Sequence, residues 1–366
     1  MANASREQMS YTIDALKTHT PAALEILCDS VLNPVLLEEE GALGQPLIPD
    51  SDQLTKLTSD SLRQFLSTNY TAGRMVLAAS GVEHSTLVAL ATPMLEQVPA
   101  GASVPEPPSK YEGAYCLLPG AHAQPNLLLA FEYQGGWRDV EGAVAMTVLT
   151  YLLGGGSSFS SGGPGKGMHS RLYTRVLTQH AWAHSCTAFN STFNESGLVG
   201  IQASCEPGNV ADMLDVMCGE LEAVARNVGE VELSRAKRAA VSVISNALES
   251  KATSSEDIGR QFLTYGRRIS GSTYVDMIHA LTSTQLCSFV RRLLSSRPSL
   301  AAHGDNAAAA SYDALLRRYG DGSSSSSSAS GAPGSGGNGA PPPGQRQSAA
   351  GRLRQALGFG AWADGK

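Results

Sequence analysis

The feature that most restricts how this chain can fold is a glycine-rich run wedged between two segments of helical periodicity. It reads Gly154, Gly155, Gly156, Ser157, Ser158, Phe159, Ser160, Ser161, Gly162, Gly163, Pro164, Gly165, Lys166 and Gly167. So many residues without a β-carbon leave the backbone either mobile or sharply bent. Before the run, Val140, Val144, Val148 and Leu152 recur at i, i+4, i+8 and i+12, with Asp139 placed to cap the helix they predict. After it, a second helix is predicted over 168–179. A plain linker has no reason to sit between two helices of one domain, whereas binding loops and lids often do.

The run fits neither common phosphate-binding pattern. Around Gly165-Lys166, a phosphate loop requires glycine at 160 and Ser or Thr at 167, where Ser160 and Gly167 stand. The dinucleotide pattern fails because Phe159 occupies the place of its third glycine. Other catalytic signals are thin. His180 and His184 are four apart, but no glutamate lies between them and the segment reads as entering a strand, so metal-ligand geometry is not expected. Neither H-x-x-E-H nor G-x-S-x-G occurs. Arg171 and Arg175 lie four apart on the predicted helix after the run and read as solvated, with pairing to acids across an interface as the alternative.

Composition narrows the class further. With 366 residues the chain is long enough for two domains, and 42% hydrophobic residues suffice for a sizeable core. A formal charge of -6 argues against nucleic acid, which needs a basic footprint. The six cysteines, Cys28, Cys116, Cys186, Cys205, Cys218 and Cys287, form no C-x-x-C pair. They read as buried or incidental thiols of a reducing compartment. No apolar run reaches the ~18 residues of a membrane-spanning helix. The first twenty residues carry Glu7 and Asp14 beside Arg6 and Lys17, the pattern of neither a signal peptide nor a transit peptide.

Along the chain, helices are expected over 7–32, 54–66 and 85–98, with a short buried strand at 75–79. Four prolines at 99, 105, 107 and 108 mark a linker. Strands follow at 126–133, 182–193 and 198–204, the last two joined by a turn at 194–197. Helical segments occupy 209–226, 231–249, 255–266 and 272–295, before a last strand at 299–303. This order predicts α+β layers. Beyond Gly320 serine, glycine, alanine and proline dominate, so 320–366 is expected to be disordered. Within it, 352–357 has the pattern of a weak amphipathic helix.

The residues at 154–173 resemble the glycine-rich loop of the alpha subunits of the mitochondrial processing peptidase, non-catalytic members of the pitrilysin-type peptidase family. The resemblance continues through 187–194, Gly197-Leu198, 255–261 and 263–266, and earlier through 4–9 and 69–72. It covers nearly all of 4–319.

The resemblance implies two similar sheet-plus-helix domains. They are placed at 1–98 and 114–319, joined by a linker at 99–113, with the first incomplete because the chain starts after that family's opening segment. A longer helical insertion is expected in relatives between the motifs at 37–40 and 41–47. The resemblance also implies a non-catalytic substrate-recognition subunit. It would bind presequence peptides through residues 154–167 and pair with a beta subunit that carries the zinc, so no cofactor is expected in this chain. The implied location is the mitochondrial matrix or the matrix face of the inner membrane. Alternatives are a structural core subunit of the respiratory cytochrome bc complex, an autonomous zinc protease, and a non-functional truncated form. The acids that attract presequence arginines are expected elsewhere, on the beta subunit or on residues of this chain such as Glu256 and Asp257.

Overall fold

The structure is a computed structural model that describes residues 2–4, 8–32, 58–101, 110–119, 124–157 and 168–320. The tail, its expected short helix, most of the proline linker and the 37–47 motifs lie outside the described residues.

The larger part is built on a six-stranded sheet with one layer of helices. Its strands are β3 (Tyr115–Pro119), β4 (Asn126–Gln134), β5 (Gly155–Ser157), β6 (Ala183–Thr192), β7 (Ser196–Cys205) and β8 (Ser299–Gly304). They run in the order β3-β8-β4-β7-β6-β5. Only β3 and β8 pair in parallel; every other neighbour is antiparallel. The long β4–β7 ladder brings Leu129 opposite Ile201 and Ala130 opposite Gly200. A β-carbon at Gly200 would stand 1.9 Å from the Leu129 carbonyl oxygen, so no other residue permits this approach.

Helix α4 (Val140–Leu153) crosses beneath the sheet. Its start is fixed by Asp139, whose Oδ1 accepts from the Gly142 amide at 3.0 Å, as expected of a cap. The predicted stripe of Val144, Val148 and Leu152 is buried, but so are Ala145, Met146, Leu149 and Leu153. The helix is covered all round because it packs against β6 and against α6 (Glu230–Glu249), α8 (Gly271–Ala280) and α9 (Ser283–Leu294). Helix α5 (Val210–Arg226) lies on β4 and β7 and completes the core with Met213, Met217 and Leu221. Helices α7 (Lys251–Tyr265) and α10 (Tyr312–Tyr319) complete this part.

The smaller part has the hairpin β1 (Ala2–Ala4) and β2 (Met9–Tyr11), then α1 (Thr20–Leu32), α2 (Ser59–Asn69) and α3 (His84–Leu95). Its buried centre consists of Leu24, Cys28 and Ala91, flanked by half-buried Leu77, Leu87 and Leu90.

Several expectations are corrected. The helix read over 7–32 begins only at Thr20, one residue before Pro21, because 9–11 is drawn into the hairpin. Residues 75–79 are not in a ladder, since no strand lies beside them among the described residues. The helix read over 272–295 is two helices. Thr282 and Gln285 form a reciprocal capping box that restarts the chain after Ala280. Helix α7 starts four residues earlier than read, capped by Ser250. All six cysteines are buried and free, as read. Burial pushes the Cys186 thiol up to about 12 and those of Cys205 and Cys218 to about 11, which keeps them protonated and inert near neutrality.

Candidate functional site

The glycine-rich run leaves the core where α4 ends. Gly154 has φ 54° and ψ -123°, a conformation open to glycine alone. Its amide donates to the Thr150 carbonyl at 2.7 Å, and its carbonyl accepts from the Ala188 amide at 2.8 Å. The next three residues form β5, the edge strand of the sheet, with Gly156 opposite Cys186. Residues 158–167, including Phe159 and Lys166, lie outside the described residues. The chain returns at Met168.

The two ends meet. A β-carbon placed on Gly154 would fall 2.4 Å from Ser170 Cβ and 2.6 Å from its hydroxyl. Glycine at 154 is therefore required twice, by its backbone angles and by the contact with Ser170. After Ser170 the chain winds as a short π-helix, Leu172–Leu177, in place of the α-helix read over 168–179. The Thr178 amide donates to the Tyr173 carbonyl. Hydroxyls of Thr174 and Thr178 donate to the carbonyls of Ser170 and Thr174, a competition that loosens α-helical bonding.

Arg171, read as solvated, is only 3% exposed. Its Nε and Nη2 donate to the two carboxylate oxygens of Glu232, the latter at 2.9 Å, and Nη2 also donates to the Asn227 carbonyl at 2.9 Å. Arg175 is more open and faces Glu220 at 3.8 Å. Burial raises the Glu220 carboxyl above its usual range, opposed by Arg175 and Arg171. Desolvation thus outweighs attraction at Glu220. An open cleft of about 440 Å³ lies here, lined by Arg171, Arg175, Arg226, Asn227, Gly229 and Glu232. Arg171 and Arg175 are already set against Glu232 and Glu220, so the cleft offers no unpaired carboxylate among its lining residues to an arginine-rich peptide.

The other sequence candidates separate. Asp257 accepts from Gln261 at 2.8 Å and from Arg260 at 3.1 Å, so it is engaged within its own helix, while Glu256 is exposed. The Arg260 guanidinium also sits 4.5 Å from the centre of the Trp137 ring. His184 lies on β6, and His180 packs against Trp182 before the strand begins, so the pair does not share a helix face. Among the described residues no group of three His, Cys, Asp or Glu side chains is placed to hold a metal. Sequence reading missed Asn227 and Glu232. The only signal was the acidic first turn after Gly229, with Glu230 and Glu232.

Comparison with known proteins places this architecture. The chain belongs to peptidase family M16: the model described as insulinase (peptidase family M16) matches residues 1–53, and the one described as the M16 inactive domain matches 56–240. Within that family it is similar to alpha subunits of the mitochondrial-processing peptidase. The potato protein of that name is 40% identical over 353 residues, covering 87% of this chain and 70% of the relative. The Neurospora crassa subunit is 29% identical, with 83% and 72% covered. Among solved structures, a chain of complex III2 from Candida albicans superposes with a TM-score of 0.64 at 14% identity, covering 84% of this chain and 75% of that one. That likeness shows the fold alone.

Proposed function

We propose that the chain is a substrate-recognition subunit of a mitochondrial processing peptidase, holding presequences of imported precursors through residues 154–167 for removal by a zinc-bearing beta subunit. The observation that carries this reading is the glycine-rich run itself. It lies in a chain 40% identical to an alpha subunit, and its exit at Gly154 abuts its return at Ser170. A non-catalytic role is supported by the match to the inactive-domain model. The location that follows is mitochondrial, in the matrix or on the matrix face of the inner membrane.

The chemistry suits a surface that serves many ligands. Presequences are amphipathic and arginine-rich. A stiff pocket selects a few of them, whereas a glycine-rich segment re-forms around each at little steric cost. Lys166 is the run's only charge, and acids are absent, so it is built to contact the apolar face or backbone of a peptide rather than its arginines. Phe159 is its one large side chain.

Deletion of 154–167, bridged by a short linker, tests this in a complex assembled with beta. Presequence binding should weaken while pairing with beta persists. Unchanged binding and cleavage would make the run a spacer. A structural core subunit of the respiratory cytochrome bc complex is the second reading, supported by the fold likeness to the complex III2 chain. Recovery with membrane cytochromes, rather than with beta alone, would favour it.

A further inference from the structure

The glycine-rich run is held at both ends by buried structure, and one side chain holds its return. We propose that Arg171 is a positioning residue for presequence recognition: it clamps the return of the run to the first turn of α6, through Glu232 and the Asn227 carbonyl, without touching substrate. This inference rests on the reading that residues 154–167 hold the presequence.

Three observations support it. First, the guanidinium is buried and forked, with Nε and Nη2 on both oxygens of one carboxylate and Nη2 shared with a backbone carbonyl. Such a planar, bidentate pair fixes direction as well as distance, which a lysine ammonium cannot do. Second, Glu232 stands in the first turn of α6, where the helix end favours a carboxylate, and α6 packs against α4. The anchor is therefore part of the same packed unit from which the run departs. Third, Ser170, next to Arg171, sits against Gly154. A shift of the clamp is passed to Ser170 and so to the exit of the run. Exit and return of the run thus lie against each other.

The test uses a full-length alpha chain assembled with beta, a presequence precursor, and three variants: Arg171→Lys, Glu232→Gln and both together. Each variant keeps side-chain size close to the original, and the first also keeps the charge. KM, kcat and melting temperature are read for each, beside the 154–167 deletion. Arg171→Lys should raise KM about tenfold and leave kcat within about twofold, the mark of lost binding rather than lost chemistry. Glu232→Gln should act in the same direction, and the double variant should be no worse than the more affected single, because both break one link. A KM unchanged by Arg171→Lys, while the deletion raises it, overturns the inference alone. So does a KM that rises only in proportion to a falling melting temperature, which marks a purely structural pair. A deletion that leaves KM unchanged overturns the underlying reading and the inference with it.

Discussion

The two parts of the molecule are packed very differently. Residues 110–320 bury whole side chains from every layer; Leu129, Val148, Leu149 and Ile201 are each 0% exposed. Among the described residues of 2–101 the buried apolar side chains are Leu24, Cys28 and Ala91, while Leu16 is 73% and Ile26 60% exposed. Apolar burial stabilises in proportion to area removed from water, so the larger part should hold most of the fold's stability. The glycine-rich run departs from and returns to that part. The described ends of the run, Gly154–Ser157 and the return at Met168, are thus fastened to the best-packed part of the described chain.

Breaking the anchor should have the largest effect. Arg171→Met leaves the Glu232 carboxylate without its buried partner and should cost about 3–5 kcal/mol in stability, read by denaturant unfolding of the transition for 110–320. Replacing Glu232 by leucine in the same chain should recover much of it, since an apolar pair is tolerated where a lone charge is not. Recovery of stability without recovery of presequence binding would separate packing from positioning.

Truncations compare the cores directly. Leu149→Ala should cost about 3 kcal/mol, because the surrounding α4 contacts cannot close over the cavity. Leu24→Ala should cost about 2 kcal/mol, since the small centre described around it relaxes more readily. Equal costs at the two sites would contradict the contrast. Hydrogen exchange gives the same comparison without mutation: amides of β4 and β7 should exchange slowest, and those of α1 and α3 far sooner.

The smallest effect concerns Glu220. Its carboxyl is raised mainly by burial, so its contribution to stability is present below the usual carboxylate range and is lost as pH rises through the raised folded value. Glu220→Gln should therefore gain a few tenths of a kcal/mol near neutrality, and the gain should shrink as pH falls toward about 4.5. A destabilised Gln variant at neutral pH would show that Arg175 outweighs desolvation.

Much of this architecture is legible in local sequence. The strands of 126–134 and 183–205, the cap at Asp139 and the helices after Asn209 follow from alternation, turn residues and spacing, because neighbours in sequence determine them. The burial of Arg171 is not legible, because its partner Glu232 lies 61 positions away and nothing local distinguishes it from a solvated arginine. The hairpin at 9–11 is hidden for the same reason, as it depends on pairing with residues 2–4 rather than on its own periodicity. The break at 281–282 was legible as the Thr-x-x-Gln box, but apolar spacing continues across it and masks the restart. The contact between Gly154 and Ser170 follows only from the fold, although the glycines themselves announce the segment.

Contact between residues 154–167 and the presequence, which the proposed function requires, is open to crosslinking. A presequence peptide carrying a photoreactive group on its apolar face would be irradiated in the complex of a full-length alpha chain with beta, and the adducts mapped by mass spectrometry. Adducts are expected within 154–167, competed away by unlabelled presequence. Specific adducts confined to other parts of the complex, with none in this run, would contradict the proposed function.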